Sequence, residues 1–170
     1  MTDSKPLSGS AIGYKLIDGR RWRSSDPSIP KSLYQQLVNE LMSARRSVAS
    51  ALKSEDVAAL KKAKTRVQQA KVALGERGPK WWLPLSGEEL AYRARMTLMC
   101  LLASRPQSSL CPSEVARVIG NDDWRNLMAT VRDVAWAYQR EGIVQVTQGG
   151  NLVERGVRGA IRLEQGPNFT

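Results

Sequence analysis

Cations beside flat aromatic rings are the residues of this chain best suited to chemistry. In "YKLIDGRRWR", residues 14–23, Arg20, Arg21, Trp22 and Arg23 follow one another. Guanidinium groups pair with phosphate oxygens and an indole face stacks on a base, so this stretch suits contact with a nucleic acid. The plainer reading anchors Trp22 on nearby helices and leaves the arginines in solvent. A second group, Lys61, Lys62, Lys64 and Arg66, stands among Arg45, Arg46, Lys53 and Lys71. These eight cations offer either phosphate-backbone contacts or an ordinary solvated helix face. A third group lies further on. Arginine matches the guanine edge and asparagine the adenine edge, which makes Arg125 and Asn126 candidates for base contact. Arg117, Arg155 and Arg158 are candidates for phosphate contact. Asp122, Asp123 and Asp133 oppose that reading, since they repel a phosphate backbone.

Acid–base and nucleophilic chemistry have little to work with. Histidine is absent, which removes imidazole bases, Ser-His and Cys-His pairs and histidine zinc ligands. Cys100 and Cys111 are the two cysteines, too few to close a zinc site or build a disulfide framework. Glu88, Glu89 and Glu114 are available acids, but they read better as helix-start residues. Neither "TQGGN" nor "ALGERG" has the spacing of a phosphate-cradling loop. The expectation is a protein with no enzymatic activity, no cofactor and no metal. The start, "MTDSKPLSGS", lacks the apolar core of a signal peptide. No stretch approaches the roughly 20 apolar residues of a membrane span. A soluble cytoplasmic protein without a membrane partner is expected.

The positions of the charges divide the chain. Its net charge is +10, and residues 1–85 hold 16 Lys+Arg against 7 Asp+Glu, a net +9. Residues 86–170 hold 10 against 9, a net +1, and every lysine lies in the first half. An anionic partner would most naturally meet the first half.

The elements that must position these residues follow from pattern. Asp18-Gly19 between two short runs predicts a β-hairpin. Leu33, Leu37, Leu41, Ala44, Val48 and Ala51 mark an amphipathic helix reaching about residue 53. Ser54, Glu55 and Asp56 start a second helix, whose stripe is Leu60, Ala63, Val67, Ala70 and Leu74 and whose stop is Gly75. The short connection makes the two antiparallel. After the double tryptophan of "LGERGPKWW", Ser86 and Glu89 form a capping box. The helix they open is apolar almost all round, so it needs cover on several sides. Pro112 begins a short helix that Gly120 stops, and Asn121-Asp122-Asp123 begins another. The last carries the stripe Trp124, Leu127, Met128, Val131, Val134, Ala135 and Tyr138 and ends at Gly142. Alternation at Ile143, Val144 and Val146, a Gly149-Gly150 turn and a final strand near 159–164 then give a two-stranded wing, which completes a winged-helix order.

"CPSEVARVIG", "DWRNLMATVRDVA" and "EGIVQVTQGG…RGAIRL" resemble the bacterial family known as domain of unknown function 3253, over roughly residues 88–163. That resemblance implies a winged-helix fold and no catalytic residue. Ala160 departs from it, standing where proline is expected. "IDGRRWRSSDPSIP…LVNELMSARR…VQQAKVALGERGPKWW" is similar to an uncharacterised actinobacterial family often labelled biopolymer transporter Tol, a label the absence of a span or signal argues against.

The expected architecture is mainly α with small β. A tail over 1–13 precedes a β-hairpin and basic antiparallel helical hairpin over 14–85. A winged helix over 86–164 and a tail over 165–170 follow. Phasing the last helix on Val131 turns Arg125, Asn126, Ala129, Asp133, Trp136 and Arg140 away from the core. Because a bare outward tryptophan is unfavourable, Trp136 is expected to meet Trp81 and Trp82 at a seam between the two modules; an exposed ligand platform is the other use of that pair. The expected function is non-enzymatic nucleic-acid binding, DNA ahead of RNA. The alternative is an adaptor that holds a protein partner on the winged-helix face.

Overall fold

Asp18 and Gly19 have φ values of 50° and 73°, the positive values that a two-residue hairpin turn requires. In the computed structural model, which describes residues 12–170, this turn joins β1 (Tyr14–Ile17) to β2 (Arg20–Arg23). Lys15 pairs with Trp22 and Ile17 with Arg20. Strand alternation therefore puts Lys15, Ile17, Arg20 and Trp22 on one face, and Tyr14, Leu16, Arg21 and Arg23 on the other. The tail expected over 1–13 lies, up to residue 11, outside the described residues.

Helix α1 (Lys31–Lys53) buries Leu33, Leu37, Leu41, Ala44 and Ala51, one stripe at helical spacing. Asp56 caps α2 (Val57–Ala73) by accepting a 2.9 Å hydrogen bond from the Ala59 amide. The buried residues of α2 are mostly alanines, with Ala63, Ala70 and Ala73 facing inward, so the two antiparallel helices pack closely. Between them Glu40 and Arg66 form a 2.7 Å ion pair. The same guanidinium donates to Ser43 and Ser47 at 3.1 and 3.2 Å.

Helix α3 (Gly87–Ala103) starts at the Ser86–Glu89 capping box. Every residue from Thr97 to Leu102 is buried, because α1, α2, α4 (Pro112–Gly120) and α5 (Met128–Arg140) all pack against it. Its one buried cation, Arg93, is 1% exposed and pairs with Asp26 at 2.8 Å. Asp26 lies between β2 and α1, and its other oxygen accepts from the amide and hydroxyl of Ser28. A loop of the first half is thereby fastened to a helix of the second. The core is accordingly continuous from Ile29 through Leu98 to Leu163.

The chain after α3 differs from its expected form in three places. Residues Asn121–Leu127 form a 3₁₀ segment, so the last helix begins at Met128. Leu127 folds back onto Gly120, where a side chain would collide with it, and that close approach tightens the start of the segment. Trp136 does not point away from the core. It is 6% exposed and belongs to the core cluster, because α5 is covered by β3 (Val144–Gln148) as well as by α3 and α4. The final residues, expected as a tail over 165–170, are fastened down. Gln165 ends β5 (Arg162–Gln165) and donates to the Leu102 carbonyl at 2.8 Å. Asn168 holds the Gly142 and Glu141 carbonyls. The sheet is antiparallel in the order β4-β3-β5, with β4 only Asn151–Leu152.

Arg105 clamps the turn after α3. It holds both oxygens of Glu114, at 2.7 and 3.2 Å, and donates to Gln36 of α1 at 2.8 Å. Burial alone would raise the pKa of Glu114. The bonds from Arg105 and the Cys111 amide, with the charges of Arg105 and Arg162, outweigh it and hold the carboxyl below its ordinary 4.5. The contribution of Glu114 is therefore fully present above about pH 4.5 and lost as pH falls through the lowered value. Glu114→Gln should flatten that acid limb in denaturant melts taken between pH 3 and 6. An unchanged slope would remove Glu114 from the account. Asp26→Ala should cost about 3–5 kcal/mol, since it strands a buried guanidinium; a loss below about 1 kcal/mol in urea unfolding would contradict the buried pair.

Candidate nucleic-acid interface

The cations of the first half fall into those the fold uses and those it leaves in solvent. Lys61, Lys62 and Lys64 are exposed on α2 and form no ion pair among the described residues. Arg66 is placed differently. Its guanidinium is occupied by Glu40, Ser43 and Ser47, so it joins α1 to α2 and does not accompany those lysines. Lys64 and Lys71, seven residues apart, share a stripe of α2 about 10 Å long. Lys71 is paired with Glu76 at 3.4 Å.

On the hairpin, strand alternation separates the arginines. Arg21 lies over the Tyr14 ring, 4.5 Å from its centroid. Arg23 donates to the Gly78 carbonyl at 2.7 Å and lies 5.6 Å from the Trp82 ring centroid. Arg20 is on the opposite face, with Trp22. That indole is 48% exposed.

The double tryptophan packs inside the first half. Trp81 lies against Gly75, where an added Cβ would be 2.6 Å from the ring, and its indole donates to the Ser24 carbonyl at 3.1 Å. Trp82 covers Gly13 and meets Tyr14 edge-on, with centroids 5.3 Å apart. Both glycines have positive φ, 81° and 80°. The pair thus fastens the foot of the β-hairpin to the end of α2. Trp136 sits on α5, whose principal partners are α3, α4, β3 and the 3₁₀ segment.

In the second half, Arg117 and Arg125 are brought together on Trp124, each guanidinium 4.5 Å from the ring centroid. Both arginines are exposed. Asn126 lies beside them but donates to Asp123. Arg125 and Asn126 belong to the 3₁₀ segment and not to the first turn of α5. Arg155 pairs with Asp133 at 2.7 Å, which offsets one of the carboxylates that would repel a phosphate backbone. That pair is well exposed, so its net worth is small and an anion can compete for the arginine. Arg158 is exposed.

Residues 92–166 match the family model described as Protein of unknown function (DUF3253). The DUF3253 segment runs from within α3 to just past β5, and so includes the Arg117–Trp124–Arg125 cluster. No curated protein matches the chain. Among the described residues, no cluster of three or more His, Cys, Asp and Glu could hold a metal ion, and no helix is long and apolar enough to cross a membrane. Cys100 is buried beside Glu40, and burial with that carboxylate pushes its thiol pKa up, which leaves it an inert core residue.

Lys15 and Tyr34 lie outside the expected contact set, yet with Arg20, Trp22, Arg45 and Lys71 they line one cleft. The hairpin register supplies part of that signal: a two-residue turn at 18–19 sets Lys15 opposite Trp22.

Arg66→Ala should destabilise the fold by at least about 2 kcal/mol, because it leaves the 4% exposed Glu40 without its partner. Lys61→Ala should change stability by less than about 0.5 kcal/mol. Paired urea melts would separate the two, and equal effects would refute this division of the cations.

Proposed function

We propose that the protein is a non-enzymatic nucleic-acid-binding protein of the cytoplasm, with DNA as the expected partner and a regulatory role. Its C-terminal unit is read as a winged helix: α3, α4 and α5 precede the β3–β4 hairpin and β5, in the order of that fold. The observation that carries the proposal is the set of exposed lysines, Lys61, Lys62 and Lys64, with no ion pair among the described residues. A polyanion neutralises such charges and releases its own counterions. Arg117 and Arg125, stacked on Trp124, supply an orienting contact from the second half.

The adaptor reading draws support from a different observation. Asp122 and Asp123 are exposed on the 3₁₀ segment, and Leu152 of the short strand β4 is 61% exposed. A protein partner tolerates those groups better than phosphates do.

A mobility-shift titration distinguishes the two. Affinity should fall steeply between about 50 and 200 mM salt. Lys61→Ala with Lys62→Ala should weaken all sequences alike and lower the salt slope by about two, whereas Arg125→Ala should relax sequence preference. Absence of any shift at low salt rules out the nucleic-acid reading; a salt-resistant protein complex purified from native lysate favours the adaptor.

A further inference from the structure

A cleft of about 660 Å³ lies between the first hairpin and α1, within the roughly 300–1,000 Å³ typical of ligand sites. One wall is the hairpin face that carries Lys15, Arg20 and Trp22. The other is the α1 stripe bearing Tyr34 and Arg45, and Lys71 of α2 closes one side. Two carboxylates line it as well, Asp18 and Glu76. Glu76 is already engaged by Lys71 at 3.4 Å and by the Ser25 hydroxyl at 2.9 Å, so the lining keeps an excess of positive charge.

Two properties of these walls select the occupant. Trp22 and Tyr34 are 48% and 38% exposed, which leaves aromatic surface uncovered in a basic setting. An inorganic polyanion or an acidic peptide answers the cations and leaves the rings bare. A duplex answers the cations too, but its base faces are hidden in its own stack. An unpaired strand answers both, with bases on the rings and phosphates on the cations.

We infer that the cleft between the first hairpin and α1 binds an unpaired nucleotide segment, stacking a base on Trp22 and Tyr34 while Lys15, Arg20 and Arg45 hold its phosphates. Lys71, paired with Glu76 at the side of the cleft, shares its α2 stripe with the exposed Lys64, so the strand leaves the cleft along the exposed lysines of α2. The inference rests on the nucleic-acid reading above and gives it a second site outside the DUF3253 segment.

Fluorescence anisotropy on the full chain tests it, with a labelled ten-nucleotide oligothymidine and a duplex of equal length as probes. Trp22→Ala should weaken oligothymidine binding about fivefold or more and leave duplex binding within about twofold, since loss of one stacked base costs that much. Trp22→Phe keeps a π face and should recover most of the loss, a rescue that a damaged hairpin would not permit. Unlabelled polyglutamate and inorganic polyphosphate, at matched charge, should compete poorly. An oligothymidine affinity indifferent to Trp22→Ala, or polyglutamate competing as well as oligothymidine, would overturn the assignment while duplex binding left the broader reading intact. Absence of binding to both probes at low salt would overturn the two together.

Discussion

The arrangement depends on one carboxylate held away from water. Asp26 gives one oxygen to Arg93 on α3 and the other to Ser28, and its amide donates to the Leu74 carbonyl at the end of α2. Arg93 in turn donates to the Ala73 carbonyl. The segment that leads from β2 into α1, the end of α2 and the middle of α3 therefore meet at a single ion pair. Such a pair contributes little net stability, because desolvation offsets most of the attraction. Its effect is on position. Apolar packing alone could slide, whereas a guanidinium and a carboxylate in a dry interior tolerate few geometries. With Trp81 and Trp82 seated on Gly75 and Gly13 nearby, the hairpin is fixed from both its foot and its exit.

Fixing the hairpin decides which cations can act. Arg23, Arg66, Arg93 and Arg105 are all engaged internally, through contacts with carbonyls, hydroxyls or carboxylates. Arginine's planar group suits that work. Lysine, a strongly hydrated point charge on a flexible stem, is left mainly to the surface. Because every lysine precedes residue 81, the solvent-facing charge gathers in the first half even though arginines run throughout. A bare count of charges puts Arg66, whose guanidinium is occupied, on equal terms with Lys15 and Arg45, which line the proposed cleft because the hairpin and α1 face each other.

Features set by near neighbours were legible in the sequence, and those set by distant ones were not. The Asp18-Gly19 turn, the α1 stripe and the Ser86–Glu89 box each rest on contacts a few residues apart. The need to cover α3 was legible too, since its apolar surface exceeds one stripe. Arg93, by contrast, lies between Tyr92 and Ala94 like any charged helix residue, and its partner is 67 positions away. Trp136 was misplaced for a related reason. Phasing α5 by a single stripe assumes cover from one side, and β3 covers another. The 3₁₀ segment, whose Leu127 packs on Gly120, is invisible to a helical repeat, and it moves Arg125 and Asn126 out of the helix they were expected to begin.

A continuous core also changes how the two halves would act on one ligand. Modules on a flexible linker must lose relative freedom when both engage, and their joint affinity depends on linker length. Here α3 of the second half packs on α1 and α2 of the first, and Arg105 bridges Gln36 of α1 to Glu114 of α4. The lysines of α2 and the Arg117–Trp124–Arg125 cluster are thus held at one separation before any ligand arrives. Contacts at one site position the other with no further ordering, so the proposed partner is selected by whether its charges and bases match that fixed spacing. Weak exposed contacts, each worth little alone, can then add within one rigid body.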